Sequence, residues 1–426
     1  MGTELQAAEE KAPGGSWKLP FFTIWSGQAI SLFGSNVVQF ALIWWLTVQT
    51  GSATVLALAS LVGILPMIVL GPIAGAYVDR WDRRKVMIAS DALVGVVSLG
   101  LAYLFFSGQI QVWHIYLALA VRSVGGGFHW TAFQASTSLM VPNGYLSRVA
   151  GMNQTLNGMI GIIAPPIGAL LMSVMAFYGI MLLDVGTMIL AILPLLFVAV
   201  PLPNRIAEGL GGETQSIWVD IREGLRYVRG WPGLMVLIGM AMVVKIALTP
   251  AFSLIPLLVN DHFQGGAGEL SIVEAAAGIG IVLGGILLSV WGGFKRKIYT
   301  VLLGFTLLGV GLVALGLTPG SLFWLAVVSA LGIGLTIPII DGPIMAILQG
   351  SVEPEKQGRV MTIMGSLVWL TSPIGLAIAG PVSDWAGLQT WYLFAGLLCV
   401  VSGLIAARIP ALIHIEDKNV VGAVEL

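Results

Sequence analysis

The stretch Gly75–Val86, GAYVDRWDRRKV, packs two acids, three arginines and a lysine into one short turn between two long apolar runs. Only 10% of the 426 residues are charged, and 57% are hydrophobic. A soluble domain carries about 25% charged residues, so this chain cannot cover a water-exposed surface. Apolar runs of about 18 residues or more recur along most of its length, each able to cross a bilayer as a helix. The composition specifies an all-α membrane protein, and the charged turn is one of its loops.

Outward from that turn, the apolar runs predict twelve transmembrane helices, near 20–48, 53–78, 86–107, 112–140, 149–175, 178–200, 233–260, 270–293, 298–318, 321–349, 359–384 and 388–409. Connections are short except at 201–231. There SIWVDIREGLRYVRG repeats Trp218, Ile221, Leu225 and Val228 at helical spacing, which predicts an amphipathic helix lying on the membrane surface. The expected organisation is a tail at 1–19, a six-helix bundle at 20–200, a linker at 201–231, a second six-helix bundle at 232–409 and a tail at 410–426. Residues 1–18 are polar and read as a soluble tail, not a signal peptide. The single Cys399 rules out an internal disulfide.

Loop positives fall on one side throughout: Arg80–Lys85, Arg148, Arg205, Lys295–Lys297, Lys356, Arg359 and Arg408 all follow even-numbered spans. Both termini and the linker are therefore expected to be cytoplasmic. The two halves also look duplicated. RRKV at 83–86 corresponds to KRKI at 295–298, Arg148 to Arg359, and PPIGAL at 165–170 to SPIGLA at 372–377. Transporters often build one pathway between such repeats.

With these features the chain resembles the major facilitator superfamily over about 20–409. The superfamily pattern Gly-x-x-x-Asp-Arg-x-x-Arg-Arg/Lys is met by Gly75, Asp79, Arg80, Arg83 and Arg84 at full spacing. The run DRWDRRKVMIASD, Asp184, QGSVEPEKQGRV at 349–360 and GPVSDWAG at 380–387 are similar to the bacterial macrolide-efflux and siderophore-export branch. Departures are visible. Gly125 stands where the helix-four pattern Arg-x-x-Gln-Gly has Gln, the helix-five antiporter pattern is only partly met by Ala164, Pro165, Gly168 and Ala169, and Trp291 and Gly292 replace the acid and arginine in the second-half copy of the opening motif. The resemblance implies two rocking six-helix halves and a cytoplasmic latch at Gly75, Asp79 and Arg83. Orientation and lipid contact are the alternative for the basic residues.

Charges inside spans are costly and usually functional. Arg122 must face a polar cavity or pair with an acid; the resemblance ties it to proton coupling, and a structural ion pair is the alternative. Asp91, Asp184, Glu274 and Asp341 are candidate proton-exchanging acids, with Asp91 also a candidate for the latch region and Asp341 for a helix cap or salt bridge. Gln28, Ser31 and Gln39 share a broad face of the first span and, with Lys245, are candidates to line a cargo cavity; helix–helix hydrogen bonding is the alternative for the first three. Four histidines, one cysteine and no Gly-x-x-x-x-Gly-Lys-Ser/Thr loop argue against a metal, a cofactor or ATP-driven pumping by this chain.

The expectation is a proton-coupled efflux antiporter of the inner (cytoplasmic) membrane. It exports a small amphipathic drug such as a macrolide, functions as a monomer, and has no catalytic set and no nucleic-acid partner. An uptake or metabolite carrier, a membrane-embedded enzyme and a non-transporting receptor are the competing readings.

Overall fold

The computed structural model describes residues 17–78, 81–198, 200 and 226–417. Asp79, Arg80, most of the expected linker helix and most of both tails lie outside them. Lipid offers no partners for backbone groups, so the apolar runs close their hydrogen bonds as helices. In chain order these are α1 (Lys18–Thr50), α2 (Ala53–Val78), α3 (Arg83–Phe106), α4 (Val112–Met140), α5 (Leu146–Val174), α6 (Phe177–Phe197), α7 (Pro232–Ser253), α8 (Ala267–Trp291), α9 (Lys297–Leu317), α10 (Phe323–Ser351), α11 in two pieces (Pro354–Leu370 and Ser372–Ala386) and α12 (Leu388–Ala406).

Among the described residues, eleven helices are long and apolar enough to cross a membrane. α4 is long enough at 29 residues but carries Arg122, His129 and a run of hydroxyls. The chain is a multi-pass membrane protein. The eleventh span is broken where a continuous helix is expected. Pro373 has no N–H to give to the Trp369 carbonyl four residues earlier, and the Thr371 hydroxyl donates to the Val368 carbonyl at 2.7 Å.

Two compact units are present. The first falls within Met1–Gln39, Val69–Ile160 and Met175–Gly212; the second within Phe40–Ile68, Gly161–Val174 and Glu213–Leu426. In the first, Ile24, Val78, Met87, Phe133 and Leu195 join α1, α2, α3, α4 and α6 in one core. In the second, Phe40 and Trp44 of α1 pack with Val259, with Leu270 and Val273 of α8 and with Ala330 of α10. Backbones there meet at glycines. A Cβ on Gly309 of α9 would lie 2.5 Å from the Gly396 carbonyl oxygen of α12, and one on Gly396 would lie 2.6 Å from that of Gly309.

The opening motif ties helix ends together. Asp82 caps α3, accepting from the backbone N–H of Arg84 at 3.0 Å and of Lys85 at 3.4 Å. Arg84 donates to the Leu195 and Leu196 carbonyls at the C-terminal end of α6, and Arg83 donates to the Ala135 carbonyl of α4 at 2.8 Å. Free carbonyls and the negative dipole end of a helix both favour a guanidinium there. A Cβ on Gly75 would meet nothing within 4 Å, so among the described residues no helix approaches closely there.

In the second half another segment supplies the acid. Glu416 accepts from the Ile298 N–H at the start of α9 at 2.8 Å, and Arg296 meets Asp417 at 3.7 Å and the Ile413 carbonyl at 3.2 Å. Leu412 and Ile415, both fully buried, anchor this segment. Glu416→Ala is expected to destabilise the protein by about 1 kcal/mol, the usual worth of an N-terminal cap. Asp417→Ala removes an exposed pair and should change much less. Thermal unfolding of the detergent-solubilised protein checks both, and equal effects would contradict the assignment.

Candidate functional site

Four helices of the first unit converge on Asp184. Burial of a carboxylate in such a bundle requires that every oxygen be satisfied. Asp184 of α6 is 1% exposed. Its Oδ2 accepts from Arg122 of α4 at 2.6 Å and from the Ser98 hydroxyl of α3 at 2.6 Å. Its Oδ1 accepts from the Ser35 hydroxyl of α1 at 3.1 Å. The Arg122 guanidinium also reaches the Ser98 hydroxyl at 2.7 Å and the Ser35 carbonyl at 3.4 Å. Arg122 is thus paired with an acid inside the bundle.

A second polar layer lies seven residues away on three of these helices. Gln28 of α1 donates to Asp91 Oδ2 of α3 at 3.1 Å, and His129 Nε2 of α4 stands 3.5 Å from Asp91 Oδ1. Gln28 is seven residues from Ser35, Asp91 from Ser98, and His129 from Arg122. Seven residues are about two turns, or roughly 10 Å along an axis. One layer is closed by a full ion pair. The other holds a carboxylate, an amide and an imidazole whose Nε2 makes no hydrogen bond among the described residues. Ser31 is buried near this layer's helix face, whereas Gln39 is exposed, so the candidate face of α1 is divided between two environments.

The second unit holds the other candidates. Lys245 of α7 lies with its Nζ 4.0 Å from the ring centroid of Trp369 in α11. Asp341 of α10 is exposed within its helix. Glu274, about two turns into α8, makes no hydrogen bond or ion pair among the described residues.

Sequence reading assigned no role to Asp384. Its carboxylate, near the end of α11, sits on the N-terminus of α2. Oδ1 accepts from the Ala53 N–H at 2.7 Å, and Oδ2 from the Thr54 N–H and the Ser52 hydroxyl, both at 3.0 Å. Three donors and a positive dipole end meet one acid. A Cβ on Gly380, one turn earlier, would lie 2.7 Å from the Thr54 Cα, so the two helices touch here. Ser35 and Ser98 carry no role on sequence grounds, and His129, beside Trp130, reads there as packing or a cargo platform and not as a partner of Asp91. Their heptad offsets from Arg122, Gln28 and Asp91 are the signal that would have found them.

Asp184→Asn is expected to destabilise the protein by about 3–5 kcal/mol, because it leaves the Arg122 charge buried without a partner. The double variant Arg122→Met, Asp184→Leu should recover most of that loss. Thermal unfolding of the two variants in detergent decides; a single variant as stable as the double would contradict the buried pair.

The superfamily model described as Major Facilitator Superfamily matches residues 24–264 and 246–423. Macrolide efflux protein A of Streptococcus pyogenes is 35% identical over 403 residues, covering 95% of this chain and 99% of that protein. The multidrug efflux pump Tap of Mycolicibacterium fortuitum is 28% identical, covering 90% and 94%. Among solved structures, a bacterial homologue of the iron transporter ferroportin in its inward-facing state superposes with a TM-score of 0.71 at 13% identity, covering 93% of this chain and all of that one. A bacterial homologue of the lysosomal transporter Spinster gives 0.66 at 14% identity, covering 97% and 99%. With its long helices, its buried intramembrane charges and a family match along nearly its whole length, the chain belongs to the major facilitator superfamily of membrane transporters.

Proposed function

We propose that this chain is a proton-coupled efflux carrier that exports an amphipathic, macrolide-like drug by alternating access. The observation that carries the reading is the pair of polar layers inside the first unit, supported by the efflux proteins that match almost all of the chain. The exchangeable proton is assigned to Asp91 and His129. Their 3.5 Å contact is an ion pair only when the imidazole carries a proton, so loading and unloading a proton makes and breaks it. The Arg122–Asp184 layer keeps α1, α3, α4 and α6 in register while this happens.

The carrier works as a monomer in the inner membrane, with the basic loops and both termini in the cytoplasm. Two six-helix halves, 20–200 and 232–409, joined by the linker at 201–231, rock about a central pathway. At the outer end Asp384 holds α2 to α11 through the three donors described above, and this tie must release when the pathway opens outward. The cytoplasmic latch at Gly75, Asp79, Arg80 and Arg83 is its counterpart at the other end.

In a drug-sensitive bacterial host, the expressed chain should lower accumulation of labelled erythromycin, and a protonophore should restore it. Asp91→Asn and His129→Ala should abolish uphill export while leaving downhill exchange. Unchanged accumulation across a panel of macrolides would overturn the efflux reading.

Asp384→Asn removes the charge from the α2 terminus, weakening the tie by about 1 kcal/mol and shifting the closed-to-open ratio roughly fivefold. Spin labels at the outer ends of α2 and α11 should report a larger population of long distances. An unaltered distance distribution would show that Asp384 does not govern closure.

A further inference from the structure

Three helices of the second unit bring an amine, a carboxylate and an indole to one depth. Counted from the ends that bear the basic loops, Lys245 in α7, Asp341 in α10 and Trp369 in α11 lie about 15–22 Å along their helices at 1.5 Å per residue. Asp341 is exposed, and Trp369 is 47% exposed. A carboxylate midway along a membrane helix faces water-filled space, since lipid cannot solvate it. The open side of Asp341 is therefore expected to meet water and not lipid.

The Lys245 ammonium rests 4.0 Å from the Trp369 ring centroid. It forms no ion pair with a carboxylate among the described residues, and Asp341 on α10 is the exposed acid at a similar depth. An ammonium on an indole face is the strongest common cation–π arrangement, and it strengthens as water is excluded. Aromatic faces of this kind are how proteins hold alkylammonium groups.

We propose that Trp369 and Asp341 form a receptor for the protonated amine of a bulky apolar cargo, and that Lys245 is a tethered surrogate that fills it when cargo is absent. The inference rests on the reading of the chain as an exporter of amphipathic drugs. An organic cation replaces Lys245 like for like, on the same ring and beside the same acid. An anion would have to draw Lys245 off the ring and then meet the charge of Asp341. An occupant built into the site lowers apparent affinity by the fraction of time it is bound, so removing it must tighten cargo binding.

The test uses two probes of the same shape and opposite charge, tetraphenylphosphonium and tetraphenylborate, binding to the purified full-length protein. Lys245→Met should tighten phosphonium binding several-fold. Trp369→Ala and Asp341→Asn should weaken it by on the order of tenfold. Because the Lys245→Met result is a gain, loss of folding cannot imitate it. Phosphonium binding that is unchanged or weaker in Lys245→Met overturns the proposal. So does tetraphenylborate binding that is tighter than phosphonium in the wild type and lost in Lys245→Met. Macrolide export by the same variants separates the two readings: a wild-type exporter whose phosphonium affinity is the same in every variant keeps the efflux reading and loses the subsite. A wild type that neither exports nor binds either probe loses both.

Discussion

The burial of the Asp184 carboxylate constrains the first unit more than any other single feature. A charge in a helix bundle embedded in lipid persists only if fixed donors replace its water. Here those donors come from three different helices: a guanidinium from α4 and hydroxyls from α3 and α1. Each donor fixes the rotation of its helix about its own axis. Once those rotations are set, a helix face repeats after seven residues, and Gln28, Asp91 and His129 are carried into the same seam. The second layer therefore follows from the first: it is the same three faces read two turns further along.

A second constraint recurs at the helix ends, where four N–H groups or four carbonyls lack partners within the helix. The chain answers it with charge. Asp82 serves the start of α3, Arg84 the end of α6, Glu416 the start of α9 and Asp384 the start of α2. Asp82 is local to the helix it caps. Glu416 and Asp384 are remote in sequence, and each ties a helix terminus to another segment. A remote cap differs from a local one in function as well as in place, because it is lost whenever the two segments separate. Phe294 stands 212 residues after Asp82, so no local acid serves the start of α9, which draws its acid from the C-terminal segment instead.

Much of this was legible in the sequence. The spans, the single-sided loop positives and the anomaly of Arg122 inside span four all follow from composition and periodicity, and they lead to the right class of fold. What the sequence withheld is pairing. Periodicity gives the polar face of one helix but not its rotation against a neighbour, so Arg122 called for an acid without naming Asp184. Gln28 and Gln39 fell on one broad face of α1, although one is buried against Asp91 and the other is exposed. The break in α11 has a local cause in Pro373, yet a Pro in an apolar run also fits an unbroken helix, as Pro165 and Pro166 in α5 demonstrate. Asp384 was visible only as one letter of a family-like run, because a cap on a helix more than three hundred residues away leaves no local pattern.

The division of α1 completes the physical picture. Ser35, which holds Asp184, and Phe40, which packs with Val259 and Leu270, are five residues apart on one unbroken helix. Rotating α1 to release Phe40 from its seam must therefore also move the Ser35 hydroxyl, because a helix turns as a rigid rod over so short a distance. The carboxylate of Asp184 cannot lose that donor without cost, so α1 resists rotation while the ion layer is intact. α1 is thus a helix whose successive turns answer to two different sets of partners.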